Sequence, residues 1–307
     1  MTLVVGTDEA GYGPNLGPLV VAATCWESAC DPADAEAAFA AAMIGIDGLW
    51  GDSKRIFRGG GGFAALERGA LAGIAASGGG VPGGWAGLLA AVDAPGGEPA
   101  EWAEAAAQLR LPRELGVDDS PAVAARADAA LAASGLRLVA VRCRLVQPRE
   151  FNALLDTGLN KSDILSRATL DLAAPLVNAA AGESVVWCDR HGGRRRYAPL
   201  VSRAFTAPLV QVIAETPEWS AYRLPEARCR IEFSVGGESR LPVALASMTA
   251  KYIRELSMAA FNAWWGGRCA GLEPTAGYPV DAVRWRRDAE AAVQAAGLAW
   301  DDLWRRA

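Results

Sequence analysis

Leu3-Val4-Val5-Gly6-Thr7-Asp8-Glu9-Ala10-Gly11-Tyr12-Gly13-Pro14-Asn15-Leu16-Gly17-Pro18-Leu19-Val20-Val21-Ala22-Ala23 is the stretch on which the reading of this chain turns. Leu3 to Asp8 is an apolar strand closed by acids, and Leu19 to Trp26 is a second strand. The glycines and prolines from Gly11 to Pro18 give the segment between them the composition of a tight turn. Asp8 and Glu9 are neighbours, so in a continuing strand their side chains leave on opposite faces. For both carboxylates to serve one site, the strand is expected to end or bend there, which Gly11 and Gly13 would permit.

Further elements follow the same logic. From about residue 57 to 135 the composition shifts to Gly and Ala, with helical stretches at Glu101 to Leu109 and Pro121 to Ala133, so a helical insertion is expected there. Leu136 to Val146 returns to strand character. Ser162 is the expected N-cap of a helix running towards Asn178, with a kink at Pro175. Ser184 to Asp189 is an apolar strand ending in an acid. Arg230 to Val235 alternates, with Ile231, Phe233 and Val235 on one face and Arg230, Glu232 and Ser234 on the other. A long helix is expected from about Pro242 to the Gly266-Gly267 pair, and an amphipathic one from Asp281 to Ala296. The pattern is α/β: a mixed sheet flanked by helices, in a single domain over 1–307 elaborated at about 57–135.

The 307 residues are about half hydrophobic, with a net charge of −5 and a pI near 5.2. That balance argues against coating nucleic acid through bulk charge, and leaves room for an enzyme with a local basic groove. No apolar run reaches the length of a membrane span and no export signal opens the chain, so a cytoplasmic protein is expected. Six scattered cysteines and one histidine make a zinc site or disulfide framework a poor explanation. The tryptophans, Trp264-Trp265 included, suit packing better than base stacking.

The chemistry gathers at strand ends. Asp8 and Glu9 close one strand, Asp189 closes another, and Glu238 stands between the alternating strand and the long helix. Mg²⁺ and Mn²⁺ prefer hard oxygen ligands, and a pair of ions ~3.5–4 Å apart can activate water and stabilise a leaving oxygen in phosphodiester hydrolysis. Converging carboxylates would meet that need; a lone acid is more often a solvated strand-end residue. Directly after Asp189, Arg190-His191-Gly192-Gly193-Arg194-Arg195-Arg196-Tyr197 gathers arginines and the sole histidine. Arg190, Arg194 and Arg195 are candidate phosphate ligands, and His191 a candidate proton donor to a leaving 3′-oxygen. The plainer reading is a solvated basic loop that balances nearby acids.

Gly6-Thr7-Asp8-Glu9-Ala10-Gly11-Tyr12-Gly13-Pro14, running on through Gly17-Pro18-Leu19-Val20-Val21-Ala22-Ala23, resembles the opening signature of the type 2 ribonucleases H, HII and HIII. Asp52-Ser53-Lys54 is similar to that family's Asp-Ser-Lys motif, and Trp187-Cys188-Asp189 to the strand bearing its third acid. Phe233 to Ser239, followed by Ala246-Ser247-Met248-Thr249-Ala250-Lys251-Tyr252, is similar to the segment with the last acid and its helix. The Glu at 238 is nearer the HIII pattern. Thr275-Ala276-Gly277-Tyr278 weakly resembles the family's Gly-Tyr element, whose tyrosine contacts DNA. The resemblance implies a ribonuclease H-like fold and Mg²⁺- or Mn²⁺-dependent, two-ion cleavage of the RNA strand in RNA/DNA hybrids. Asp8, Glu9, Asp189 and Glu238 would be the metal ligands and catalytic acids. Gly11, Tyr12, Gly13, Lys54 and Tyr278 would face the substrate. HII enzymes carry Arg or Lys where this chain has Tyr12, which bears on excision of single embedded ribonucleotides; the amides of Gly11 and Gly13 remain to meet a 2′-hydroxyl.

Three rivals stand beside that reading. Gly11-x-Gly13-x-x-x-Gly17 after a strand superficially resembles a dinucleotide fingerprint, but Pro14 and Pro18 oppose a helix there and the acids would repel a pyrophosphate. A non-catalytic nucleic-acid binder of the same fold is the second; carboxylates that cannot approach a common metal would favour it. The third is a related nuclease acting on another nucleic acid, such as branched or structured DNA.

Overall fold

The computed structural model describes residues 1–46, 48–51, 62–94, 100–114, 119–180 and 182–306. Its strands are β1 (Thr2–Ala10), β2 (Leu19–Ser28), β3 (Leu136–Val146), β4 (Glu183–Asp189), β5 (Gln211–Glu215), β6 (Trp219–Leu224) and β7 (Cys229–Ser234). They form one seven-stranded sheet in the order β3-β2-β1-β4-β7-β6-β5. The turn at Gly11 to Pro18 folds β2 back antiparallel on β1, and β3 adds antiparallel to β2. At the centre β1, β4 and β7 run parallel, so their carboxyl ends lie together. The β5–β6 hairpin completes the far edge.

Both faces of the sheet are covered, because successive residues of β1 and β2 point to opposite sides and both sets are apolar. Val4, Ala10, Val20 and Ala22 join a core with the long helix Leu241–Gly266. Val5 and Ala23 join the opposite core, with Ala173 of the helix Lys161–Asn178 and Val201 of the helix Ala198–Phe205. Gly6 lets the long helix sit directly on β1: a Cβ there would fall 2.3 Å from the Pro242 carbonyl carbon. Leu245, Met248, Tyr252 and Leu256 are fully buried along that helix, and each such side chain contributes roughly 1.5–3 kcal/mol of transfer free energy.

Helices Gly62–Ile74, Trp85–Ala91, Ala103–Ala107 and Asp119–Ala133 occupy the stretch with the Ala/Gly-rich composition. Leu66, Ala70, Leu88, Ala106 and Ala127 share the core of the long helix, so these helices help cover that face of the sheet.

Several expectations need correction. β1 neither ends nor bends at Asp8-Glu9; it continues to Ala10, with Asp8 opposite Ala22 and Glu9 opposite Val21. The helix reaching Asn178 is capped by Asn160, whose side chain accepts from the Asp163 amide while Asp163 accepts from the Asn160 amide. Asn160 is extended, as an N-cap must be, whereas Ser162 already lies inside the helix. Val235 falls beyond β7 and is exposed, while Glu232 is buried and ion-paired with Arg230 and Arg240. The long interval between Asp189 and Glu238 holds the helix Ala198–Phe205 and the β5–β6 hairpin.

Candidate active site

Three parallel strand ends build the site. Asp8 lies near the carboxyl end of β1, Asp189 closes β4, and Glu238 follows β7 in a short 3₁₀ turn, Gly237–Ser239. The carboxyl ends of parallel strands are where open α/β sheets place their chemistry. The β1–β4 ladder stops at Thr7–Cys188, which leaves the last residues of β1 unflanked on that side. Glu9 feels the charges of Asp8 and Asp189, although Glu9 and Asp8 leave opposite faces of the strand. The Gly237 amide donates to Asp189 Oδ1 at 2.9 Å and ties the β7 turn to β4.

Burial and like charge set the electrostatics. Asp8 is 6% exposed, and its carboxyl is pushed up to about 7, first by desolvation and then by Asp189 and Glu238, against the pull of Lys251 and a hydrogen bond with Ser247. Glu9 is pushed well above the ordinary carboxylate range by desolvation and then by Asp8 and Asp189. Asp8 Oδ1 accepts from the Glu9 amide at 2.8 Å. Asp8 Oδ2 and Glu9 Oε2 are buried without a hydrogen-bond partner, the costly condition that a bound cation relieves.

Those orphaned oxygens and the all-carboxylate donor set suit Mg²⁺ or Mn²⁺. Among the described residues, however, no three acidic, histidine or cysteine side chains surround a common point as a closed metal cage. The cation beside Glu238 is Lys251: its Nζ lies 3.2 Å from Glu238 Oε1 and 2.8 Å from Ser247 Oγ, and Ser247 in turn donates to Glu238 Oε1 at 3.1 Å. Sequence reasoning quoted Ser247 and Lys251 without giving them a role. Their spacing, four apart on a helix that follows an acid, was the available signal.

The Gly11-Tyr12-Gly13 turn sits at the mouth of the cluster. Gly11 has φ +84°, and a Cβ there would lie 2.5 Å from the Pro18 carbonyl oxygen and 2.6 Å from Arg254 Nε. The underside of the turn is held by buried cations: Arg305 donates to the carbonyls of Gly11 and Pro14, and Arg254 to those of Leu16 and Ala276. Tyr12 is half-buried near Glu9, which together with burial raises its hydroxyl. The Lys161 ammonium lies 4.7 Å from the centre of its ring, a second basic residue that the sequence reading passed over. The Gly277 carbonyl accepts from the amides of Asn15 and Leu16, which docks the Thr275 to Tyr278 segment on the turn. Tyr278 is exposed there, beside Gly13. Gly11, Tyr12, Gly13 and Tyr278 therefore share one surface next to the acids. Lys54, with Asp52 and Ser53, lies outside the described residues.

The basic loop divides. Arg190 donates to the carbonyls of Arg194 and Thr216, and Arg194 is ion-paired with Asp163 and donates to Ser162. Both guanidinium groups are engaged in holding the loop. Arg195 is exposed, and its carbonyl accepts from Ser220 Oγ at 2.6 Å and from the Tyr222 hydroxyl at 3.3 Å. His191 is buried: its Nδ1 pairs with Ser166 Oγ at 2.9 Å, and its ring packs edge-on against Tyr197 and Phe233. Burial and Arg194 push its imidazole down to about 3, so it stays neutral. The idea of His191 as proton donor is corrected: the ring lies in the core, with Nδ1 paired to Ser166 and the ring itself against Tyr197 and Phe233, and is not presented to a substrate.

No protein-family profile matches this chain, and no curated protein matches it. Among solved structures, the chain is similar to Bst-RNase HIII in complex with Mn²⁺, with 15% identity over 99% of this chain and a TM-score of 0.48. The chain spans 66% of the length of that protein. It is also similar to the RNase HII of the PCNA:RNase HII complex from Archaeoglobus fulgidus, at 15% identity over 99% of this chain and 94% of that one, with a TM-score of 0.43. The ribonuclease H2 from Pyrococcus horikoshii OT3 gives 15% identity, 98% and 92% coverage and a TM-score of 0.43.

Proposed function

We propose that this chain is a divalent-metal-dependent endonuclease that hydrolyses the RNA strand of RNA/DNA hybrids. The observation that carries the proposal is the pair of buried, unpartnered oxygens, Asp8 Oδ2 and Glu9 Oε2, in an acidic cluster at the ends of parallel strands. Its support in the sequence is the ordered set of motifs resembling type 2 ribonucleases H. Asp8, Glu9, Asp189 and Glu238 would hold Mg²⁺ or Mn²⁺, which when bound activates water and stabilises the leaving oxygen. The chain's own part is positioning. Amides of the Gly11-Tyr12-Gly13 turn would meet the 2′-hydroxyl side of the minor groove, Tyr278 offers an exposed ring beside Gly13, and the exposed Arg195 would meet the phosphate backbone.

A second reading has one observation in its favour. The Lys251–Glu238 ion pair suits a nucleic-acid binder of the same architecture that does not cut. A panel of labelled duplexes separates the two, with Mg²⁺ or Mn²⁺ and an EDTA control: a full RNA/DNA hybrid, a DNA duplex with one ribonucleotide, and plain DNA. The proposal expects metal-dependent cutting of the hybrid. Cutting of the single-ribonucleotide duplex as well would show that Tyr12 serves where HII enzymes carry a basic residue. Binding without cutting, by folded protein with metal, selects the binder; cutting of plain DNA alone selects a nuclease with another substrate.

A further inference from the structure

We infer that Arg305 is a positioning residue of the substrate-facing turn, and that its guanidinium sets the direction in which the Tyr12 amide meets a 2′-hydroxyl. The inference rests on the reading above of a chain that acts on RNA/DNA hybrids. It adds to that site a residue 294 positions from Gly11 in the sequence.

Three observations carry it. Arg305 Nη2 donates to the Gly11 carbonyl at 2.6 Å and also to the Pro14 carbonyl. The C=O and N–H of a trans peptide point opposite ways, so a Gly11 carbonyl drawn towards Arg305 turns the Tyr12 N–H away from that buried guanidinium. The Pro14–Asn15 unit is held from both ends, its carbonyl by Arg305 and its N–H by the Gly277 carbonyl at 2.8 Å. One side chain thereby fixes the turn and its seat on the Tyr278 segment. A cation on a carbonyl also polarises the same peptide unit and strengthens its N–H as a donor. Second, the guanidinium is placed at a cost that packing alone does not explain. Arg305 is 1% exposed, its Nε and Nη1 have no hydrogen-bond partner among the described residues, and the charge acting on it is that of another cation, Arg254. An apolar side chain would fill that space more favourably. Third, the segment around Arg305 is docked by its main chain. The Arg305 amide donates to the Asn15 carbonyl at 2.8 Å, Asn152 Nδ2 donates to the Trp304 carbonyl at 2.7 Å, and the Arg306 amide donates to Asn152 Oδ1 at 3.0 Å. What the guanidinium adds is the direction of the carbonyls in the turn.

The test reads discrimination and needs no turnover. Wild type, Arg305→Met, Arg305→Lys and Arg306→Ala are titrated by fluorescence anisotropy with a labelled RNA/DNA hybrid and with a DNA duplex of the same sequence, in EDTA so that nothing is cut. Arg306 is the control, because its side chain bonds Asp156 and the Asn152 carbonyl, away from the turn. Preference for the hybrid over DNA should fall by about ten-fold in Arg305→Met, the worth of one well-aligned hydrogen bond. It should fall a few-fold in Arg305→Lys, whose ammonium keeps the charge without the planar fork, and stay at the wild-type level in Arg306→Ala. Thermal unfolding confirms that each variant is folded; should Arg305→Met not fold, Arg305→Lys carries the test. Wild-type preference in the variant that carries the test would overturn the inference, and so would an equal loss in Arg306→Ala, while the function proposed above would stand. A wild type with no preference for the hybrid would overturn both.

Discussion

Glu67 and Asp8 are both buried acids in contact with the same side of the fold, and they are treated in opposite ways. Glu67, fully buried on the helix Gly62–Ile74, accepts from the amides of Arg113 and Glu114 at 2.7 and 2.8 Å and from the Tyr252 hydroxyl at 3.0 Å. Asp8 accepts from the Glu9 amide on Oδ1, has no hydrogen-bond partner on Oδ2, and shares its surroundings with further acids. A carboxylate whose lone pairs are met by protein donors fastens a loop to a helix and leaves nothing for a ligand. One left short of donors among other carboxylates stores electrostatic cost that a cation relieves. Under the proposed function, the difference separates an acid that holds the fold from acids that would hold a metal.

The largest break in that comparison is Asp8→Asn. Cleavage should fall by about 100-fold or more, since removing even an outer-shell partner of a metal commonly costs 10–100-fold. The metal-free variant should be no less stable than the wild type, because the change removes a charge from a repelling cluster. Single-turnover cleavage and urea unfolding check the two halves; unchanged turnover would remove Asp8 from the site. Glu67→Ala should do the reverse. It strands two backbone amides and a buried tyrosine hydroxyl, and a loss of about 3 kcal/mol is expected from urea unfolding, with Mn²⁺ binding per folded molecule unaffected. A stable Glu67→Ala protein with weakened Mn²⁺ binding would merge the two classes.

The pH dependence sharpens the contrast. Asp8 in the folded protein is raised to about 7 from an ordinary 3.8, so between those values the native state keeps a proton that the unfolded chain releases. Stability of the metal-free protein should therefore fall as pH rises through that window. Melting temperature measured from about pH 5 to about pH 7.5 should decline, with a shallower slope in Asp8→Asn and in wild type with Mn²⁺. A flat profile in metal-free wild type would mean that Asp8 is not held in the raised state.

The smallest effects lie in the basic loop. Arg195→Ala should weaken duplex binding a few-fold and lower the slope of log K against log salt by about 1. Arg194→Ala should instead cost stability, because its ion pair with Asp163 and its bond to Ser162 tie the loop to the helix Lys161–Asn178. A salt slope altered equally by both would place Arg194 on the nucleic acid too.

Much of this was legible along the chain. The apolar runs of β1, β3 and β4 are local signals, and β3 falls at Leu136–Val146 as its composition indicates. Asp8 and Glu9 were visible because two acids directly before a Gly/Pro turn contradict the surrounding strand. The companions of those acids were not visible. Lys251 reads as a solvated helical lysine until β7 and the long helix fold back and set its Nζ beside Glu238. Arg305 grips a turn 291 residues away at Pro14, and no periodicity reports so distant a contact. His191 misled for the same reason: adjacency to Asp189 in sequence suggested chemistry, while packing against Phe233 turned the ring into the core.

The most direct test of the central claim is cleavage of a labelled RNA/DNA hybrid by metal-stripped protein, before and after addition of Mn²⁺. Cutting of the RNA strand that begins only with Mn²⁺ and stops with EDTA is the predicted result. Intact hybrid in the presence of Mn²⁺ and folded protein would contradict the account.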